Sequence, residues 1–271
     1  MQLPVTGPLP PTLRHRLAAS ERPLFGGWVC SGSTVMAEIM AGAGLDWLMI
    51  DMEHGPNTLE SVQAQLQVAA AYPVTTIVRV PANDAVWIKQ VLDLGAQTIM
   101  VPMVSNAAEA EAAVAHASYP PRGHRGVGNA LARSGRWNRV DDYLANAAEH
   151  TSVVVQIETA EGVDNAREIA SVDGVDGVFV GPSDLAASMG LIGQQTHPDV
   201  VAAVERAFAG VRAAGTPVGV NAFVESAARA YAGAGARFLL VGADVGLVAR
   251  GAEGLARTFI ADGDDATRAS Y

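Results

Sequence analysis

At 271 residues, 49% of them hydrophobic and 17% charged, the chain can fold around an extensive core, as one large barrel or as two smaller domains. Its formal charge of −10, with arginines spread along the chain, disfavours nucleic acid and anionic membrane and leaves a small molecule as the expected partner. No apolar run is long enough to span a bilayer and Met1 to Arg16 lack a continuous apolar stretch, which points to a cytoplasmic protein; the single Cys30 rules out an internal disulfide or a thiolate metal cage.

The first two dozen residues, with Pro4, Pro8, Pro10, Pro11 and Pro23, predict an extended lead-in and a short helix. From Leu24 the chain alternates. Runs of β type at 24–29, 46–51, 74–80, 97–102, 153–158, 175–180, 217–221 and 237–241 are separated by Ala-rich segments of helical apolar spacing, at 34–42, 58–71, 84–94, 106–116, 160–170, 198–214, 224–234 and 244–258. Eight such units over ~250 residues match the scale of an α/β fold of the (β/α)8 TIM barrel type, with a parallel eight-stranded sheet. An open doubly wound sheet fits the same alternation, because strand count does not prove closure. A single domain is expected over 1–271, with the barrel over about 24–260. Gly95, Gly174, Gly215 and Gly235 fall just before strands, where a left-handed helix-ending residue belongs. The one long irregular insert, about 118–140, carries Arg133, Arg136 and Arg139, and long loops are more often functional than short ones. Its Gly-x-x-Gly-x-Gly run, Gly123 to Gly128, follows no strand directly and is rejected as a dinucleotide fingerprint.

The second strand ends abruptly in chemistry. Leu45 to Ile50 read as buried, and Asp51, Glu53 and His54 follow at the tip, with Gly55-Pro56 breaking the strand and Asn57 placed to cap the next helix. In a parallel barrel the polar residues at the strand tips converge on one face. The tips supply His54, Arg79, Pro102, Glu158 and Asp184, with Asn221 and Asp244 as further candidates. Gln156 shares a side with Glu158 by the two-residue strand period. Glu158 and Asp184, on adjacent tips, are a natural pair for a hard divalent cation; the plainer readings are a salt bridge for Glu158 and a helix cap for Asp184. Arg79 ends an apolar strand and needs an anion, either a substrate oxygen or a structural partner such as Asp51 or Glu53. Lys89, the only lysine, lies on a predicted helix away from any tip, which disfavours Schiff-base chemistry.

Asp51-Met52-Glu53-His54-Gly55-Pro56-Asn57, Arg79-Val80-Pro81, the segment Gln97 to Val104, Pro120 to Gly128, Gln156-Ile157-Glu158-Thr159 and Phe179 to Gly190 together resemble the HpcH/HpaI family of metal-dependent pyruvate aldolases, collinearly over about 24–260. The resemblance implies a class II aldolase that reversibly cleaves 4-hydroxy-2-oxo acids to pyruvate, or hydroxypyruvate, and an aldehyde, as in aromatic or sugar-acid catabolism. It puts the metal, Mg2+, Mn2+ or Co2+, on Glu158 and Asp184. Gln156 and the Gly181-Pro182-Ser183 segment would hold the pyruvate part, His54 would be the general base with Asp93 behind it, and Arg79 would steady the enolate. Asp51 and Glu53 are then left to shape the loop and balance Arg79. The resemblance also implies a homo-oligomer, a hexamer built as a trimer of dimers, in which residues 244–262 exchange between subunits. Met52 departs from the glycine of many relatives and is expected to affect the aldehyde side. Two alternatives remain: an acyl-CoA ester lyase of the same barrel superfamily, and a non-catalytic barrel that binds a 2-oxo acid.

Overall fold

Alternating apolar strands closed on themselves bury one set of side chains inside and the other beneath helices, and the computed structural model shows this arrangement over the described residues, 9–260. Pro4 and Pro8 of the expected lead-in, and residues 261–262 of the segment expected to exchange, lie outside the described residues. In chain order the elements are α1 (Leu13–Ala19), β1 (Leu24–Val29), α2 (Thr34–Ala41), β2 (Trp47–Asp51), α3 (Leu59–Ala69), β3 (Thr75–Arg79), α4 (Ala85–Asp93), β4 (Thr98–Val101) and α5 (Ala107–Ala117). After a 3-10 turn (Ala147–His150) come β5 (Ser152–Ile157), α6 (Ala160–Asp164), α7 (Ala166–Ala170), β6 (Gly177–Val180), α8 (Pro182–Ser188), α9 (Pro198–Ala213), β7 (Val218–Asn221), α10 (Glu225–Gly233), β8 (Phe238–Ala243) and α11 (Asp244–Phe259). All neighbouring strands pair in parallel and β8 returns to β1, so the sheet is closed and the open alternative falls. Gly95, Gly174, Gly215 and Gly235 have φ of +96°, +95°, +81° and +107°, the left-handed geometry expected of them.

The strand period sorts the core into two layers. Leu48, Ile50, Val78, Ile99, Val101 and Val155 face outward and pack under the helices. Trp47, Met49, Ile77, Met100, Val154, Phe179 and Phe238 fill the barrel interior. Gly26 makes this filling possible, because a Cβ there would lie 2.4 Å from the Trp47 ring. The end where the strands begin is stopped by α1. Leu13 and Leu17 join the interior cluster, Leu13 N donates to Thr98 Oγ1, and Arg237 donates to the carbonyls of Leu17, Ser20 and Glu21.

The insert after α5 reaches β5 from a helix, so it lies on the face where strands begin, opposite the tips. It is a helix-to-strand connection, and none of its residues lines the cavity at the strand tips. Its Arg125 pairs with Asp93 at 2.6 Å, and Arg133 N donates to the Asp93 carbonyl at 2.9 Å, so it is fastened to the end of α4. The helix predicted over 160–170 is divided into α6 and α7 at Asn165, whose side chain donates to the Ser105 carbonyl. Among the described residues no helix is long and apolar enough to cross a membrane. α11 differs from the other barrel helices. Only Asp244 is buried along it, while Leu247, Val248, Leu255 and Phe259 are 54–79% exposed.

Candidate active site

Strand register builds the site. Asp51 lies opposite Arg79 across β2 and β3, and both point inward by the same alternation that buries Met49 and Ile77. Arg79 Nε donates to Asp51 Oδ1 at 2.9 Å and Nη2 to Asp51 Oδ2 at 2.8 Å, a two-pronged pair with both side chains at most 5% exposed. Arg79 Nη1 lies 2.8 Å from Glu53 Oε2, off the hydrogen-bond axis, and 3.5 Å from Gln156 Oε1. Burial works against the arginine's charge, but the hydrogen bonds and charge of Asp51, then the charge of Glu53, hold its pKa above the usual value. Asp51 and Glu53 therefore act as the structural partners of Arg79, the plainer of the two readings open to that residue.

The carboxylates outnumber the cation. Glu158 is 2% exposed; Met103 N donates to Oε1 at 2.8 Å and Gln156 Nε2 donates to Oε2. Burial pushes its carboxyl up to about 7, opposed by the Met103 hydrogen bond and reinforced by the charges of Glu53 and Asp184. Glu53 is also raised, first by burial, against the pull of Arg79 and His54. A buried acid crowded by two like charges is poorly placed alone and well placed beside a divalent cation. Among the described residues no group of three or more His, Cys, Asp or Glu side chains is placed to hold a metal ion. Two carboxylates do fit a hard cation that keeps several waters and takes oxygens from its substrate. Gly181 leaves the room this requires, since a Cβ there would stand 2.8 Å from Glu158 Oε2 and 2.9 Å from Gln156 Nε2. Gly181→Ala is expected to displace that carboxylate and weaken Mn2+ binding by about tenfold or more, as measured by calorimetric titration; unchanged affinity would remove Glu158 from the metal set.

Asp184 is no helix cap. Gly181 is the N-cap residue of α8, Asp184 lies in its first turn, and its side chain is exposed to the cavity. That cavity, about 290 Å³, opens at the strand tips and is lined by His54, Arg79, Gln156, Gly181, Pro182, Ser183 and Asp184 among others. His54 is 66% exposed, with Nε2 3.9 Å from Glu53 Oε2.

One expected neighbour is missing. Asp93 ends α4 on the strand-beginning face and bonds to Arg125, whereas His54 follows β2 on the opposite face, so the structure does not bring Asp93 behind His54 within one chain. Asp244, a further candidate, is fully buried and accepts hydrogen bonds from the backbone N–H groups of Cys30, Ser31 and Val245, which makes it a clamp on the loop after β1. Met52 is buried in the outer core and does not line the cavity, so its expected effect on the aldehyde side is not supported. Asn57 does not cap α3. Thr58 does, while Asn57 Nδ2 donates to the Asp51 carbonyl at 2.7 Å and ties down the base loop. The lining also includes Trp28, Cys30, Phe179, Phe223 and Ala243, which the tip list missed because their side chains are neutral. Burial, then the charges of Asp51 and Asp244, push the Cys30 thiol up to about 12, which leaves it protonated and unsuited to nucleophilic attack.

Known proteins share this fold and much of this sequence. The HpcH/HpaI aldolase/citrate lyase family model matches residues 24–251. A 4-hydroxy-2-oxo-heptane-1,7-dioate aldolase of Salmonella dublin is 52% identical over 241 residues, covering 89% of this chain and 92% of the relative. An HpcH/HpaI aldolase/citrate lyase family protein from Burkholderia cenocepacia superposes with a TM-score of 0.87 at 41% identity, covering 92% of this chain and 99% of that one. An HpcH/HpaI aldolase from Desulfitobacterium hafniense gives 0.83 at 29% identity, over 94% of this chain and 99% of that one. With the closed barrel and the acid-rich tips already in place, full-length similarity of this order means that the chain belongs to the HpcH/HpaI aldolase/citrate lyase family.

Proposed function

We propose that the protein is a divalent-metal-dependent class II aldolase that reversibly splits a 4-hydroxy-2-oxo acid into pyruvate, or a close analogue, and an aldehyde. The observation that carries this is one tip cavity holding Arg79, Gln156, His54 and Asp184, with Glu158 buried behind it and more carboxylates than cations. Family membership and the name of the Salmonella relative support it.

Breaking the C3–C4 bond requires loss of the C4 hydroxyl proton and leaves negative charge on the 2-oxo oxygen. Glu158 and Asp184 would hold a divalent cation, whether Mg2+, Mn2+ or Co2+, which would supply charge neutralisation to the developing enolate, a contribution of several kcal/mol. Arg79 lines the same cavity, with Nη1 between Glu53 and Gln156, and adds a fixed positive group there. His54, exposed at the mouth, accepts the hydroxyl proton and returns it to C3 of the pyruvate part or to water. Gly181, Pro182 and Ser183 form the wall that orients the oxo acid.

The role expected of Asp93 behind His54 is not available within one chain, where the two lie on opposite faces. The exposed apolar side of α11 supports assembly into the hexamer the resemblance implies. The acyl-CoA alternative needs a basic nucleotide groove. Among the described residues lining the cavity the only Lys or Arg is Arg79, already held by two carboxylates, so the aldolase reading is preferred.

The test is release of pyruvate from a 4-hydroxy-2-oxo acid before and after chelation, with Mn2+ add-back, in wild type and His54→Ala. Expected is loss on chelation, recovery with Mn2+, and a fall of about 10²–10⁴-fold for His54→Ala. Full activity in chelated protein would overturn the metal reading. A wild-type rate in His54→Ala would remove His54, and no pyruvate from the wild type would leave the barrel as a binding protein.

A further inference from the structure

Two carboxylates fix the edge of the Arg79 guanidinium, but edge bonds leave its plane free to rock about the line joining Arg79 to Asp51. The face of that plane is covered by Trp28, whose ring centre lies 4.3 Å from Cζ. The ring is itself tethered. Trp28 Nε1–H donates to Asn221 Oδ1 at 2.9 Å, across the barrel mouth from β1 to β7. Trp28 reaches this position through an irregularity in β1, where the register with β8 shifts between Gly26 and Trp28, the kind of bulge that re-aims a side chain beside a site. Trp28 is 7% exposed and the Arg79 side chain 5%, so the stack is shielded from water.

We propose that Trp28 is a positioning residue for Arg79: stacked on the guanidinium and held by Asn221, it fixes the plane so that the Nη1 edge stays turned toward the oxo acid. The proposal rests on the reading of Arg79 as an oxo-acid contact. A third carboxylate could have fixed the plane as well, but it would have added to the excess of negative charge already there; an aromatic face does so without adding charge. The competing explanation is that Trp28 only fills the interior beside Trp47 and Phe179. A filler residue changes stability when replaced and leaves ligand affinity where it was.

The experiment measures pyruvate affinity by calorimetry on Mn2+-loaded protein, with a urea midpoint for each variant. Trp28→Leu removes the face, and pyruvate Kd is expected to rise roughly 3- to 30-fold. Trp28→Phe keeps a ring and recovers most of that loss. The tether gives a second route should Trp28→Leu not fold: Trp28→Phe and Asn221→Ala are expected to weaken binding by similar small factors, and the double variant no more than either alone. In an Arg79→Lys background, where no plane exists to stack, Trp28→Leu is expected to change Kd less than about twofold. A lowered urea midpoint with unchanged Kd would overturn the proposal, as would an equal fold-loss in the Arg79→Lys background. Failure of wild-type protein to bind pyruvate would overturn the reading of Arg79 first, and the proposal with it.

Discussion

Glu158→Gln is expected to lower metal-dependent kcat/KM by about 10³-fold or more and, in metal-free protein at pH 8, to raise the melting temperature. The two effects come from one cause. The Glu158 carboxyl titrates near 4.5 when unfolded and is pushed up to about 7 when folded, by burial and then, beyond the opposing Met103 bond, by Glu53 and Asp184. The folded state therefore holds a proton that the unfolded state releases between those values. The contribution of this group to stability is full below pH 4.5 and is lost as pH rises through about 7, at most on the order of 3 kcal/mol. Glutamine keeps an oxygen for the Met103 N–H and has no charge to desolvate. Thermal melts with chelator at pH 5 and pH 8 check the sign, and Mn2+ should raise the wild-type midpoint at pH 8 while leaving the variant unmoved. A variant that retains metal-dependent turnover would remove Glu158 from the site.

Arg79→Met is the second change of large expected effect. It leaves Asp51 and Glu53 beside each other without their cation, and Asp51 is 1% exposed. Removing one member of a buried pair costs about 3–5 kcal/mol, so urea unfolding should show a loss of that order. Activity is expected to fall by about 10²-fold or more even where the variant is fully folded. Adding Asp51→Asn separates the two roles: stability should return in part while activity stays low. Recovery of activity in the double variant would mean that Arg79 serves only the fold.

Much of this was legible in the chain because a closed parallel barrel has a simple grammar. Apolar runs separated by helical spacing located all eight strands, and the two-residue period put Gln156 on the side of Glu158. Pairings across strands were less accessible, since Asp51 and Arg79 meet through a register that no local pattern specifies. The place of the insert was recoverable: it follows α5, and a segment running from helix to strand lies on the face away from the tips. Asp93 shows the limit of similarity alone. Its position in the family's order was clear, but which end of the barrel it occupies depends on its being the last residue of α4. Trp28 escaped notice for a different reason. A search for titratable groups passes over an indole whose use is its shape.

The end of the barrel stopped by α1 and latched by Arg237 imposes a traffic rule. Among the described residues the cavity opens at the strand tips, and through that doorway whatever binds deepest enters first and departs last. On the proposed aldolase reading the oxo-acid half would sit against Arg79 and Gln156 and the aldehyde half toward His54 at the mouth, so the aldehyde would leave before pyruvate, and in synthesis pyruvate would have to be seated before the aldehyde arrives.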